Sequence, residues 1–367
     1  MTSIGGEYGS ELTMLVGTYT EGSSSEGIYV LRFDQISGKA GVVGSVKASN
    51  PSFLTVSPDE KQVYAVSEYN DGRQGVYAFR FDKTAGKLSP LNFQTTVDKI
   101  KGASLGKDAK LDGSDPCYIY TNGRQVVTAN YTGGDISIFP INKDGSLGSQ
   151  VQHFCFPGND ANTVSHIHCI MPSPDGKYIF ANDLGNDKIY RFTINDAANG
   201  NNFLLQQTTA YNGEKGWGPR HITFSRDGKF AYLINELSDY CTVFGYKNGN
   251  LTPIQKVQAN EEKGRGSADI HISPDGRFLY ASHRLKNEGI SIFRINEATG
   301  HIIKVGYQLT GKHPRNFSIT PNGQFLLVAC RDSNVIQVYK RNTTTGMLEN
   351  MHQDISLGKP VCIRFLP

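Results

Sequence analysis

No apolar run in this chain approaches the roughly 20 residues that a membrane-spanning helix needs, which excludes a helical membrane protein. Charge is also sparse. Asp, Glu, Lys and Arg make up 19% of residues and the formal net charge is +3. No basic block is interleaved with aromatics, so the footprint of a nucleic-acid partner is missing. The one run of lysines, Lys99, Lys101, Lys107 and Lys110, reads as a solvated loop. The six cysteines, at 117, 155, 169, 241, 330 and 362, include no C-x-x-C pair. That spacing excludes a zinc knuckle and a thioredoxin-type motif. Cys117, Cys169, Cys330 and Cys362 fall in or beside apolar segments, where a thiol behaves as a small hydrophobe. Such usage fits a reduced, cytoplasmic protein. The first eleven residues are polar and Gly-rich, without the apolar core of a signal peptide. A leader removed earlier stays open as an alternative.

Glycine and aromatics are plentiful, with 40 glycines, 18 tyrosines and 19 phenylalanines, the usage of a chain rich in strands and turns. One pattern recurs six times: an apolar alternating run, an Asp-Gly-type pair, then a second apolar run ending in polar residues. The pairs are Asp59-Glu60, Asn122-Gly123, Asp175-Gly176, Asp227-Gly228, Asp275-Gly276 and Asn322-Gly323. Each pair reads as a two-residue hairpin turn, because Gly accepts positive φ and Asp tolerates it. Further strands follow each hairpin, such as 136–142, 188–195 and 290–296, giving four strands per unit. Repeats of about 50 residues built from four strands indicate propeller blades.

The chain ends complete the count. A proline precedes the turn residue by eight positions in Pro51/Asp59, Pro219/Asp227 and Pro314/Asn322, and Pro360 would place a seventh turn just past Pro367. Leu15-Val-Gly-Thr-Tyr19 matches the second-strand segment Ala65-Val-Ser-Glu-Tyr69. The expected fold is therefore all-β: a seven-bladed β-propeller whose seventh blade is closed by N- and C-terminal strands. It would form one domain over 12–367, with 1–11 a polar N-terminal segment.

Strand geometry then gathers chemistry. The start of each first strand and the end of each second lie together, about 20 Å from the turn. One channel mouth so collects His166, His168 and Asp183, then Arg220, His221 and Glu236, then Asp269, His271, His283 and Arg284. His313, Arg315, Arg331 and Glu68 join them. The connection 92–115 could act as a partial lid. Several arginines with histidines and a few carboxylates suit a small anionic substrate, through forked donors and near-neutral proton carriers. Arg–carboxylate pairs between blades would also serve structure alone. His166-x-His168 and Asp269-x-His271 place metal-type ligands on one strand face. Neighbouring arginines would repel a cation, and no carboxylate-rich loop is present, so no metal or other cofactor is expected. A Gly-x-Ser-x-Gly elbow is lacking.

Gly218-Pro-Arg-His221 followed by Asn235-Glu-Leu237 resembles the bacterial propeller-type 6-phosphogluconolactonase family, itself similar to the fungal carboxymuconate cyclases. Ala268-Asp-Ile-His271, Pro314-Arg-Asn316, Ser165-His-Ile-His168, Asn182-Asp-Leu-Gly185 and Ala129-Asn-Tyr-x-Gly-Gly134 share the likeness, which runs from about residue 13 to the end. The resemblance implies a metal-free seven-bladed propeller with a catalytic group at His168, Arg220, Glu236 and Arg284. Beside it, His166, His221, Asp269, His271 and Arg315 are substrate-binding candidates from their place at the mouth. The expected activity is hydrolysis of a sugar δ-lactone, foremost 6-phosphogluconolactone to 6-phosphogluconate, with Glu236 or His168 as base. A lactonizing cyclase on a muconate-like dicarboxylate and a non-catalytic interaction platform are the alternatives. The expected partner is a small anionic lactone, with neither nucleic acid nor membrane, on a monomer or weak homodimer.

Overall fold

Segments rich in β-branched and aromatic residues pair with the segment that follows, because each intervening turn is short enough to bring the chain straight back. The computed structural model describes residues 9–97, 112–197 and 202–366. The pairs extend into seven antiparallel sheets, each of four strands in succession and one with an added two-residue strand. The innermost strands are Leu54–Val56, Pro116–Thr121, Ile167–Pro172, Pro219–Phe224, Ser267–Ile272, Pro314–Ile319 and Pro360–Leu366. Each touches the innermost strand of the next sheet, and the last touches the first. The ring is closed, a seven-bladed propeller. Pro360–Leu366 pairs with Glu11–Thr18, with Thr13 opposite Leu366 and Val16 opposite Ile363, so the two chain ends share one blade. That pairing gives both terminal strands a partner and places Glu11–Thr18 inside its sheet rather than at an edge.

Between blades the core is apolar. Val63, Ala65 and Phe79 of the first blade pack in one buried cluster with Ile119, Val127 and Ile138 of the second. Buried tyrosines fasten neighbouring blades, since a phenolic O–H inside a core needs an acceptor. Tyr64 donates to the Gly145 carbonyl at 2.7 Å, Tyr232 to Gly300 at 2.8 Å and Tyr280 to Gly346 at 2.7 Å.

The turns differ from the two-residue form expected. In Ser225-Arg-Asp-Gly-Lys-Phe230 the Ser225 N–H donates to the Phe230 carbonyl at 2.8 Å, and Gly228 N–H donates to the Ser225 carbonyl at 2.9 Å. The loop is thus four residues long. Asp227 acts as a cap, its Oδ1 accepting from Ser225 Oγ at 2.6 Å and Lys229 N–H at 3.0 Å. Only Gly228 takes a left-handed backbone, at φ +70°. In the first unit Glu60 occupies that place, at φ +60°. The lysine cluster at 99–110 and the greater part of the 92–115 connection lie outside the described residues.

Candidate active site

Two positions in each blade supply most of the chemistry at one channel mouth. The first is the second residue of the innermost strand. Strand pairing skips a residue there in six blades, between Pro116 and Tyr118, Ile167 and Cys169, Pro219 and His221, Ser267 and Ile270, Pro314 and Asn316, and across Gly17–Thr18. A bulge leaves the extra residue unpaired and re-aims its side chain. Cys117, His168, Arg220 and Arg315 are such residues. Pro116, Pro219 and Pro314 open three of these strands and have no N–H to give, which suits a strand start. The second position is the residue just after the second strand: Glu68, Tyr131, Glu236 and Arg284. These eight, with Asp115, Thr132, Arg265 and Leu285, line a cavity of about 400 Å³.

Glu236 holds two arginines at once. Its Oε1 accepts from Arg220 Nε at 3.1 Å and from Arg284 Nη2 at 2.7 Å. Arg220 also donates through Nη1 to the Ala268 carbonyl at 2.6 Å, and Arg284 through Nε to the Gly266 carbonyl at 2.8 Å. Arg220 Nη2 and Arg284 Nη1 therefore donate to nothing among the described residues. Across the cavity Arg315 faces Glu68 at 3.4 Å, while Glu68 accepts from Tyr19 OH at 2.6 Å and Ser52 Oγ at 3.1 Å. The clamp is dry: Arg220 is 1% exposed and Arg284 8%. Burial pushes the Glu236 carboxyl upward, but Arg284 and Arg220 outweigh it and hold the group below its ordinary value. Glu236 is an anion at neutral pH.

Four buried histidines, His168, His221, His283 and His313, are held neutral. Burial, then Arg220, His221 and Arg315, set the His168 pKa well below its usual value. Burial followed by nearby cations lowers His221 to about 4, His283 to about 3 and His313 to about 2. Folded-state values below the unfolded one mean that the unfolded chain binds more protons in acid. The stability these four contribute is complete above about pH 6.5 and declines as pH falls below it. Calorimetry should show Tm dropping steadily from pH 6.5 to 4.5, and a constant Tm over that interval would contradict the assignment.

The cavity brings together His168, Arg220, Glu236, Arg284 and Arg315. It does not bring in the other four candidates. His166 stacks on the Tyr131 ring at 4.2 Å and points Nδ1 at the Tyr131 carbonyl, 2.8 Å away. His221, Asp269 and His271 form a hydrogen-bonded cluster outside the lining, with Asp269 contacted by both histidines, at 2.9 and 2.8 Å. Asp183 is buried and satisfied by Ser165, Asn186 and Tyr190, and His283 sits between Ser267 and Ser291. Sequence reasoning missed Asp115, Cys117, Tyr131, Thr132, Arg265 and Leu285. Tyr131 carried a usable signal, since it follows Asn130 as Glu236 follows Asn235. Asp115 takes φ +53° immediately before Pro116, as Asn50 and His313 take positive φ before Pro51 and Pro314. For a metal, one group among the described residues has ligand-type atoms within 4.8 Å of one another: Asp112, Asp135, His153 and Cys155. None of the four lines the cavity.

A closed propeller with a buried arginine clamp beside a neutral histidine at one mouth has the equipment of an enzyme for small anionic substrates. The family model described as "Lactonase, 7-bladed beta-propeller" matches residues 13–365, and the chain belongs to that family. It is 37% identical over 353 residues to the 6-phosphogluconolactonase of Formosa agariphila, covering 93% of this chain and 96% of that protein. A solved structure from Bacteroides fragilis, named as a candidate 6-phosphogluconolactonase, is 47% identical with a TM-score of 0.91, covering 99% of this chain and all of that one. The periplasmic gluconolactonase of Pseudomonas aeruginosa is 31% identical with a TM-score of 0.86, covering 98% and 99%.

Proposed function

We infer that this protein hydrolyses a sugar δ-lactone, foremost 6-phosphogluconolactone to 6-phosphogluconate. The observation that carries this reading is the arginine clamp. Two buried guanidiniums share one carboxylate, and each keeps a terminal nitrogen for a ligand in the cavity that His168 also lines. Relatives named as 6-phosphogluconolactonase and gluconolactonase support the same substrate class over the cyclase and platform alternatives.

Opening a lactone requires a water oxygen to add to the ring carbonyl while a base takes its proton. His168 is the base in this scheme: it is uncharged and lines the cavity, whereas the Glu236 carboxylate is already committed to two guanidiniums. The carbonyl oxygen becomes an oxyanion facing Arg220 Nη2 and Arg284 Nη1. Collapse of the tetrahedral centre breaks the bond to the ring oxygen, which takes the proton from His168 and leaves as a hydroxyl; the other product group is a carboxylic acid, which ionises to the carboxylate by releasing its proton to solvent. Arg265 is exposed at the cavity rim, and its side chain has no partner among the described residues. With Arg315 it is suited to the substrate phosphate.

The test is hydrolysis of 6-phosphogluconolactone measured against the uncatalysed rate, with unphosphorylated gluconolactone as control. A kcat/KM at least tenfold higher for the phosphorylated lactone is expected. No acceleration of either lactone would refute the activity. None of the six cysteines is in a disulfide, which fits a reducing compartment, and we place the protein in the cytoplasm on that basis. No helix among the described residues is long and apolar enough to cross a membrane.

A further inference from the structure

Three signatures read from the sequence, Gly218-Pro-Arg-His221, Ala268-Asp-Ile-His271 and Pro314-Arg-Asn316, meet at one buried carboxylate. Asp269 is 3% exposed. Its Oδ1 accepts from His221 Nδ1 at 2.9 Å and from Ile270 N–H at 3.0 Å. Its Oδ2 accepts from His271 Nε2 at 2.8 Å, Asn316 Nδ2 at 2.8 Å and Phe317 N–H at 3.4 Å. An ionised carboxylate can only accept, so His221 carries its proton on Nδ1 and presents Nε2 as an acceptor.

That Nε2 is buried and has no partner, and the same is true of Nδ1 of His168. The two rings lie 5.2 Å apart, centre to centre, at 61°. Imidazoles that meet nitrogen to nitrogen through a hydrogen bond of about 3 Å have this separation, so rotating the rings to point the two orphaned atoms at each other would join them without moving either backbone. The rings of Tyr118 and Phe53 pack perpendicular to His221, and that of Tyr131 perpendicular to His168. The charged and titratable groups around the pair are Arg220 and Arg315 beside His168, and Arg220, Asp269 and His271 around His221.

We propose that Asp269 and His221 are positioning residues that fix the tautomer of His168. In this arrangement Asp269 accepts from His221 Nδ1–H, and His221 Nε2 accepts from His168 Nδ1–H. The lone pair of His168 Nε2 is then turned to the cavity, where a water must be deprotonated. When His168 takes that proton, the charge is shared along a string that ends on a carboxylate. The proposal rests on His168 being the base of the lactonase reading. It goes beyond that reading by assigning work to two residues that do not touch the substrate cavity.

Asp269→Asn tests it. Asn316 Nδ2 and Phe317 N–H both donate on the Oδ2 side, so the amide oxygen takes that side and its NH2 faces His221. His221 must then protonate Nε2, His168 must accept at Nδ1, and its proton moves to the cavity side. The expected result is a kcat at least about 100-fold lower with KM changed less than threefold, as for a base held in the wrong tautomer. His221→Gln, which can accept from His168 and donate to Asp269, should retain at least tenfold more kcat than His221→Leu. Nitrogen-15 NMR of labelled histidine reads the tautomer directly: His168 should be Nδ1–H in the wild type and Nε2–H in Asp269→Asn. Full kcat in Asp269→Asn, equal losses in the two His221 variants, or an unchanged His168 tautomer would overturn the proposal. If the wild type hydrolyses no lactone, the base role falls, while the NMR measurement still decides whether the string exists.

Discussion

Arg220→Lys is expected to lower kcat by about 10²–10³-fold while leaving KM within a few-fold of wild type. The wild-type guanidinium does three things at once. Nε pairs with Glu236, Nη1 caps the Ala268 carbonyl, and Nη2 remains for the ligand. A lysine ammonium is a point charge on a flexible stem and cannot hold that fork. It will settle on Glu236, the nearest anion, and leave the developing oxyanion with one donor from Arg284. Losing one preorganised donor at an oxyanion costs about 3–4 kcal/mol in the transition state, with little effect on ground-state binding. Lysine keeps the charge opposite Glu236, so the fold survives and the loss is read as chemistry. Steady-state kinetics with melting temperature as control makes the distinction. A lysine variant with wild-type kcat would remove Arg220 from the reaction.

The blade count and the closure of the ring were legible because an Asp-Gly-type pair marks each turn at a recurring interval, and because Pro360 announced a blade whose remaining strands had to come from the other end of the chain. Arg220, Glu236, His168 and Arg284 could be gathered at one mouth for the same reason. The placing of their neighbours was not legible. Alternation along a strand sends consecutive residues to opposite faces. At the bulges consecutive residues instead reach the same side: Arg220 lines the cavity while His221 contacts His168, and Cys117 lines it while Tyr118 packs on His221. A one-residue register shift leaves no mark in residue type, so His221 and Asp269 read as part of the same surface as Arg220. Arg265 was hidden for another reason. It lies in a loop with φ +58°, and its place on the rim depends on the Arg265 N–H bond to Asp239, a contact 26 residues away.

Glu236→Ala should be the most destabilising single change at the site. It removes the one carboxylate between two guanidiniums that are nearly sealed from water, and the carbonyls of Ala268 and Gly266 cannot supply a compensating charge. Breaking a buried pair in this way costs about 3–5 kcal/mol, because the remaining charges stay desolvated and unpaired. Here two cations are left facing each other, so the upper part of that range is expected, with Tm lower by about 5–7 °C. The direction of rescue is specific. Phosphate or sulfate can enter the vacated space between Arg220 and Arg284, and millimolar amounts should restore several degrees to the alanine variant and far less to wild type. Glu236→Gln keeps an acceptor oxygen without the charge and should fall between the two. Thermal melts of all three proteins, with and without phosphate, check the ordering. An alanine variant as stable as wild type would mean that the two arginines reach solvent, and would remove the dry clamp from which the oxyanion argument draws its strength.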